Sequence, residues 1–348
     1  MQNIDTFLDK ILQKHSIPGL QVGIRQGDDV LYTLAHGKAN LEHSVPVSDS
    51  TTFEIASVTK PMTAMVVLAL VDEGRVDLDA SIANYLDIPK QWDAVTVRHC
   101  LAHQSGIPNY INDAYWSLTR KDKTHTEILD LVRNEALMYP PGARNHYDNT
   151  GYYLLGMLVE ACTGQSYADA MQQYLCQPLN MTHTRANDYR AILPNRAQGY
   201  VLDEDSETLL NKDFYSTSNT FSAGTMVSTA GDLLKWADAL TIDSILSDAT
   251  RPLLWTAHPS EAGNERDNHY SMGLGFFIVD HPRGQFVGHN GMTEGYVSAF
   301  VHFRERDTTL ALLCNRGGIG DCHEILFTIA DEVVPEWGFS ANSDTAEK

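Results

Sequence analysis

Serine and lysine stand three residues apart in Ser57-Val58-Thr59-Lys60, a spacing that puts both on one helix face. A serine hydroxyl is a poor nucleophile until a base takes its proton. A lysine amine can do so once burial or nearby positive charge lowers its pKa from the ordinary ~10.4. The stretch Ala64–Val71 just downstream is apolar on all sides, which predicts a helix buried all round and supplies that burial. The N-terminus of such a helix also favours negative charge developing on the serine oxygen. Two further clusters could carry chemistry. Tyr147-Asp148-Asn149 combines a phenol able to shuttle a proton with a carboxamide able to donate to and accept from a substrate amide. Gly288-His289-Asn290-Gly291 reads as a glycine-flanked turn ending a strand Gln285–His289, where a ligand can approach the backbone closely. Each cluster alone has an ordinary structural reading: a capping serine with a surface lysine, a packed tyrosine, a turn.

The elements that must position these residues follow from periodicity. Ile4–Gln13 has helical apolar spacing and stops at Pro18-Gly19; Leu20–Ile24 and Val30–Leu34 then flank a polar, glycine-containing turn as a β-hairpin. Val58–Val71 predicts a helix begun by Ser57 and stopped by Gly74, with Pro61 tolerable only near its first turn. Val97–His103, Thr126–Leu137, Tyr152–Ala161, Tyr167–Tyr174 and Asp232–Leu240 continue the helical texture. Strand texture returns in Leu274–Val279, Gln285–His289, Tyr296–Phe303 and Thr308–Cys314, before a closing helix His323–Val334. Strands at both ends and helices between predict an α+β fold. One sheet is built from both chain ends and covered by the terminal helices, with a mostly helical subdomain inserted. The division expected is a single domain over 1–339, its α/β part about 1–56 and 223–339 and its helical part about 57–222, followed by a flexible tail 340–348.

Composition narrows the function. The 348 residues are 43% hydrophobic and 20% charged, an ordinary globular balance. A formal net charge of −20 repels phosphate backbones, so no nucleic-acid partner is expected. No window approaches the ~18 unbroken apolar residues of a membrane span. The first twenty residues are too polar and acidic for a secretory signal, which points to a cytoplasmic protein. Cys100, Cys162, Cys176, Cys314 and Cys322 are odd in number and widely spaced, the pattern of reduced thiols used as small hydrophobes.

Taken together, Ser-x-x-Lys, then Tyr-x-Asn, then a basic residue-x-Gly on a late strand is an order that resembles the serine β-lactamases and penicillin-binding proteins. Within that superfamily the sequence resembles the class C β-lactamase-like branch, the β-lactamase-related serine hydrolases, from about Ile17 to Asn315. Ile17-Pro18-Gly19-Leu20, Phe53-Glu54-Ile55-Ala56-Ser57, Leu101–Pro108, Asn149–Gly156 and Ser228-Thr229-Ala230-Gly231-Asp232 carry the same likeness. The resemblance implies a β-lactamase/transpeptidase-like fold with an antiparallel sheet and a cofactor-free, metal-independent site. Ser57 would be the acylated nucleophile, with Lys60 and Tyr147 sharing general acid/base duty. Asn149, His289 and Gly291 would contact the substrate, and the backbone N–H groups of Ser57 and Met292 would form the oxyanion hole. One departure matters: many penicillin-recognising members have Lys-Thr-Gly where this chain has His289-Asn290-Gly291. A histidine of ordinary pKa ~6.5 is mostly neutral at pH 7 and holds a substrate carboxylate less well than lysine. H-x-G members include esterases and D-amino-acid peptidases. The expected partner is therefore a small ester, amide or peptide, with an esterase or amidase as the leading reading. D-amino-acid peptidase, DD-peptidase or weak β-lactamase activity is the enzymatic alternative. A non-catalytic binding or assembly protein on the same scaffold is the alternative of another class.

Other features lead elsewhere. His99 and His103, four apart, could face one metal, but no third ligand is placed by sequence. His323-Glu324 lacks the second histidine of a zinc-protease helix, no Gly-x-Ser-x-Gly elbow exists, and Gly317-Gly318-Ile319-Gly320 lacks the lysine of a phosphate loop. Tyr110, Tyr115, Trp116, Phe214, Tyr215 and Phe221 either line a substrate pocket or pack the helical part.

Overall fold

A computed structural model describes residues 4–241, 244–259 and 270–337. The expected tail 340–348 lies outside the described residues. Three strands come from the start of the chain: β1 (Gly19–Gln26), β2 (Asp29–Asn40) and β3 (Val45–Pro46). Five come from its end: β4 (Tyr270–Met272), β5 (Phe277–Val279), β6 (Phe286–Thr293), β7 (Tyr296–Phe303) and β8 (Thr308–Cys314). They form one sheet in the order β3-β2-β1-β8-β7-β6-β5-β4, all neighbours antiparallel. The two ends of the chain meet where β1 pairs with β8, Leu20 opposite Cys314 through Gln26 opposite Thr308.

Every residue of β7 and β8 is buried, so the sheet is covered on both sides. Alternation sorts the two faces. Leu310, Leu312 and Cys314 join Val297, Ala299 and Val301 against the terminal helices α1 (Ile4–Lys14) and α5 (Cys322–Val333). Ala311, Leu313, Tyr296 and Phe300 face the other way, into the core built around α2 (Thr59–Asp72) and α3 (Thr150–Thr163). Trp236 of α4 (Ala230–Trp236) packs on Phe300 in the same core, ring centroids 4.4 Å apart.

α2 is the buried helix the sequence predicts: Thr59 through Leu70 are all buried, and Gly74 ends it at φ +69°. Its start differs. Ser57 does not cap the α-helix but sits in a single 3₁₀ turn, Ala56–Val58, preceded by Ala56 at φ +47°. Three other helices are shorter than their periodicity suggests. Val97–His103 ends at Leu101, and His103 takes a left-handed φ of +56°. Thr126–Leu137 is helical only over His125–Leu129, after which Leu131 and Val132 donate to carbonyls three residues back and the chain tightens into turns. Asp232–Leu240 is split between α4 and the short turn of helix Asp238–Thr241. The segment between α2 and α4 is not purely helical: it also holds a two-stranded ribbon, Tyr200–Asp203 with Thr208–Asn211. All five thiols are free, and only Cys162 is not fully buried. No helix among the described residues is long and apolar enough to cross a membrane.

Candidate active site

The edge of β6 explains how Ser57 is presented. β5 pairs with β6 only over Phe286–Gly288, so among the described residues no strand pairs with His289–Thr293 on that side. The turn that carries Ser57 packs beside that open edge, on the sheet face over Gly291 of β6 and its partner Ser298 of β7. Ser298 on β7 donates to the Ile55 carbonyl at 2.7 Å. A Cβ at Gly291 would fall 2.2 Å from that carbonyl oxygen and 2.9 Å from the Ser57 nitrogen, so only glycine lets the two backbones come this close. His289 and Gly291 are therefore in mid-strand, not in the terminal turn the glycines suggest. Met292 follows, its side chain 62% exposed at the mouth of a cavity of about 640 Å³.

One helical turn beyond Ser57, Lys60 folds back on it. Its Nζ donates to Ser57 Oγ at 3.0 Å and to the Ala223 carbonyl at 2.8 Å. The side chain is wholly buried, and burial pushes its pKa down to about 7, against the pull of the nearby Asp148 carboxylate. Tyr147 completes the group: its ring centroid lies 4.8 Å from Lys60 Nζ, and the ring is flanked by His103 at 4.5 Å, His289 at 5.9 Å and Phe277 at 6.2 Å. Asn149 closes the approach to α3. Its side-chain NH₂ donates to Asn109 Oδ1 at 3.3 Å rather than capping the helix.

His289 is 1% exposed, its ring 4.6 Å from that of Phe277. Nδ1 lies 2.6 Å from the Asn290 carbonyl oxygen, which can only accept, so Nδ1 carries the proton and Nε2 the lone pair. Among the described residues Nε2 has no hydrogen-bond partner. Burial, reinforced by the Lys60 ammonium, pushes the imidazole pKa down to about 3. The ring is therefore neutral across the physiological range.

Three residues at this site escaped sequence reasoning, although each lies inside a quoted stretch. Asp148, between Tyr147 and Asn149, is buried; it accepts from the Gly151 N–H at 2.5 Å and Ser105 Oγ at 3.2 Å, and burial raises its pKa to about 6. His103 braces the Tyr147 segment. Glu54, 2% exposed, takes hydroxyls from Tyr189 at 2.5 Å, Tyr215 at 2.7 Å and Thr293 at 3.3 Å, with Lys212 Nζ 3.5 Å away. The available signal was a carboxylate placed directly in the apolar run before Ser57. His99 is diverted from any shared site with His103: its Nδ1 accepts from the Thr96 N–H at the start of its own helix. Of the aromatics, Tyr110, Tyr115 and Tyr215 are buried and Phe221 packs among Tyr153, Tyr167 and His125. Trp116 lines the cavity beside Met292 together with Leu202, Leu210, Asp213 and Glu294.

Comparison with known proteins gives one consistent answer. The family model described as Beta-lactamase matches residues 4–333. Penicillin-binding protein 4* of Bacillus subtilis (strain 168) is 29% identical over 350 residues, covering 96% of this chain and 76% of that protein. Protein flp of Staphylococcus aureus is 28% identical over 322 residues, which is 90% of this chain but 63% of flp, so the chain spans under two thirds of that relative. Among solved structures, the octameric penicillin-binding protein homologue from Pyrococcus abyssi aligns at TM-score 0.83 and 25% identity, over 94% of this chain and 76% of its own. D-amino acid amidase from Ochrobactrum anthropi SV3, complexed with L-phenylalanine amide, aligns at TM-score 0.79 and 26% identity over 96% of both chains. The family match takes in every stretch that meets around Ser57, and the chain accordingly belongs to the beta-lactamase family, as a beta-lactamase-related serine hydrolase.

Proposed function

We propose that this hydrolase works through an acyl-enzyme on Ser57 and acts on small esters or amides. The observation that carries the reading is the buried Lys60 amine, 3.0 Å from Ser57 Oγ with its pKa lowered to about 7. Near neutral pH a large share of that amine is unprotonated and can accept the serine proton. Ser57 Oγ then attacks the substrate carbonyl carbon. The N–H groups of Ser57 and Met292 stabilise the tetrahedral oxyanion, a contribution of about 10²–10³ in rate per donor. Lys60 and Tyr147 return the proton to the departing alcohol or amine as the C–O or C–N bond breaks. Water, activated by the same pair, hydrolyses the ester on Ser57. Asn149 orients the acyl-side amide, and Gly291 serves the substrate by letting β6 come close to the Ser57 backbone.

The substrate's leaving side is read from His289. A neutral ring offers no cation to a free carboxylate, which favours esters and uncharged amides over β-lactams and peptides with a free C-terminus. The likeness to a D-amino acid amidase supports amides of D-amino acids as the second substrate class to test. Wild type and Ser57→Ala are compared on a p-nitrophenyl short-chain ester, D-alanine p-nitroanilide and nitrocefin, with intact mass read after quenching. Turnover and an acyl adduct only in wild type support the reading. Equal turnover by both proteins with no adduct ends it, and a nitrocefin rate above the ester rate overturns the assignment of substrate class.

A further inference from the structure

His103 is held in a conformation and an environment that packing alone does not call for. It follows the helix Val97–Leu101 with a left-handed φ of +56°, a region where a non-glycine residue is strained. Its side chain is fully buried. The residues it grips bracket Tyr147. The His146 N–H donates to the His103 carbonyl at 2.8 Å, and the Asp148 N–H donates to His103 Nδ1 at 3.2 Å. An N–H can only donate, so Nδ1 is the lone-pair nitrogen and the ring proton sits on Nε2. That Nε2 proton is buried with no acceptor among the described residues. One neighbour of the ring is Tyr147 at 4.5 Å between centroids, and another is Tyr152 at 4.8 Å. Burial, with Lys60 and His289 close by, holds the imidazole well below its ordinary pKa, so Nδ1 stays available as an acceptor.

We propose that His103 is a positioning residue for Tyr147: its carbonyl and Nδ1 fix the peptide groups on either side of Tyr147, and its ring sets the plane of the phenol facing Lys60. Strain in the backbone and an unsatisfied ring N–H are two costs borne at one position. Both are explained if the acceptor at Nδ1 and the flat ring are each needed. The inference rests on the reading of Ser57, Lys60 and Tyr147 given above and deepens it.

Three variants divide the two contributions. His103→Phe keeps a ring and loses the acceptor; His103→Asn keeps a short side-chain acceptor, tolerates the left-handed backbone and loses the ring; His103→Ala loses both. Rates of fluorophosphonate labelling at Ser57, with kcat and KM on the ester, are measured for each, alone and combined with Tyr147→Phe. A displacement of about 1 Å in a catalytic group costs on the order of 10²-fold. The expected result is a 10- to 100-fold lower kcat in His103→Phe and His103→Ala, a smaller loss in His103→Asn, and KM within about threefold of wild type. In the Tyr147→Phe background the His103 substitutions should cost nothing further, because the group they position is already disabled. Unchanged kcat in His103→Phe or His103→Ala overturns the proposal. So do losses that multiply with that of Tyr147→Phe, the signature of a merely structural role. If His103→Phe or His103→Ala fails to fold, the same cycle on His103→Asn decides. Absence of labelling in wild type is a different outcome: it would remove the reading of Ser57 itself.

Discussion

Two buried polar networks converge on Ser57, and they are built on opposite principles. Around Lys60 and Tyr147, charge is buried and left under-compensated. Lys60 falls to about 7, Asp148 rises to about 6 and His289 falls to about 3, each chiefly through burial. Around Glu54, a carboxylate is buried and surrounded by three hydroxyl donors, and the Lys212 ammonium lies 3.5 Å from it. Glu54 stands three positions before Ser57, and its partner Thr293 directly follows Met292. The first network brings the Lys60 and Asp148 equilibria close to neutral pH, where a proton can move cheaply, and keeps His289 neutral. The second ties together the backbone segments that carry the two N–H groups proposed for the oxyanion hole. A group that must exchange a proton needs to be uncomfortable in either state, whereas a group that must stay still needs its hydrogen bonds filled.

The largest effect is expected on the first network. Lys60→Met should lower kcat/KM on the ester by roughly 10³–10⁵-fold, since it removes the proposed base and keeps the volume. It should also stabilise the protein, with a distinct pH signature. The native pKa of Lys60 lies at about 7, below the ordinary 10.5. Between those values the unfolded chain binds more protons than the native one, so wild-type stability rises with pH through that window. Below about pH 7 the full penalty stands, on the order of 4–5 kcal/mol. Urea unfolding of both proteins at pH 7 and at pH 9.5 checks this. The advantage of Lys60→Met should shrink at the higher pH; a gap that does not change with pH would mean Lys60 is not strained by burial. In wild type, the rising limb of kcat/KM against pH should centre near 7 and disappear in the variant.

Next in size is a disturbance of the strand edge. Gly291→Ala puts a methyl group 2.2 Å from the Ile55 oxygen, a backbone atom that cannot turn aside. β6 must move away from Ser57, which takes the Met292 N–H out of its proposed oxyanion position and should cost about 10²–10³-fold in kcat. The affinity of a boronic acid, whose tetrahedral adduct places an oxygen there, should fall by a similar factor. A variant that keeps wild-type boronate affinity would separate the Met292 N–H from oxyanion binding.

How much of this could be read from residue order alone depends on distance along the chain. Ser57 and Lys60 were legible because three residues on a helix decide their contact locally. The sheet was legible because apolar-rich, β-branched and aromatic runs such as Tyr296–Phe303 and Thr308–Cys314 have few other fates; both match the observed strands residue for residue. The glycines of Gly288-His289-Asn290-Gly291 suggest a turn after a strand that ends at His289, whereas the strand runs on to Thr293. Glycines usually mark bends, but here Gly291 makes room for a carbonyl that lies more than two hundred residues earlier in sequence, a cause invisible to local pattern. His103 was read as helical for the same reason: nothing within its own helix reveals that its carbonyl must meet His146. The Glu54 network draws on residues 187–215 and 293, so no window around Glu54 contains its partners.

That network gives the third prediction. Glu54→Gln preserves shape and removes charge, leaving Lys212 buried without its counter-ion. Breaking such a pair costs about 3–5 kcal/mol. Loosening the segments that hold Ser57 and Met292 should also lower kcat roughly 10- to 30-fold, with KM little changed. Replacing both partners, in Glu54→Gln with Lys212→Met, should recover part of the stability without recovering the rate. Chemical denaturation alongside steady-state kinetics tests this. If the single variant keeps full stability and kcat, Glu54 is a bystander and the contrast between the two networks fails on its quiet side.

The smallest effect belongs to the cavity wall, which the second network anchors without taking part in the chemistry. Leu210, Asn211 and Asp213 line the cavity, while Lys212 among them turns inward to Glu54, its side chain 7% exposed. Trp116 faces the same space and is 50% exposed, so its removal leaves no sealed void in the core. Trp116→Ala should therefore shift stability by less than about 1 kcal/mol. It should act instead on the acyl chain: each methylene that loses apolar contact forfeits about 0.8 kcal/mol, or roughly fourfold. The ratio of kcat/KM for p-nitrophenyl butyrate over acetate should fall about 3- to 10-fold, with the acetate rate near wild type. An unchanged ratio would place the acyl chain elsewhere. A parallel loss on both esters would mean that this wall, like Glu54, positions the reacting groups, and the line drawn between holding the site and selecting its substrate would have to move outward to include it.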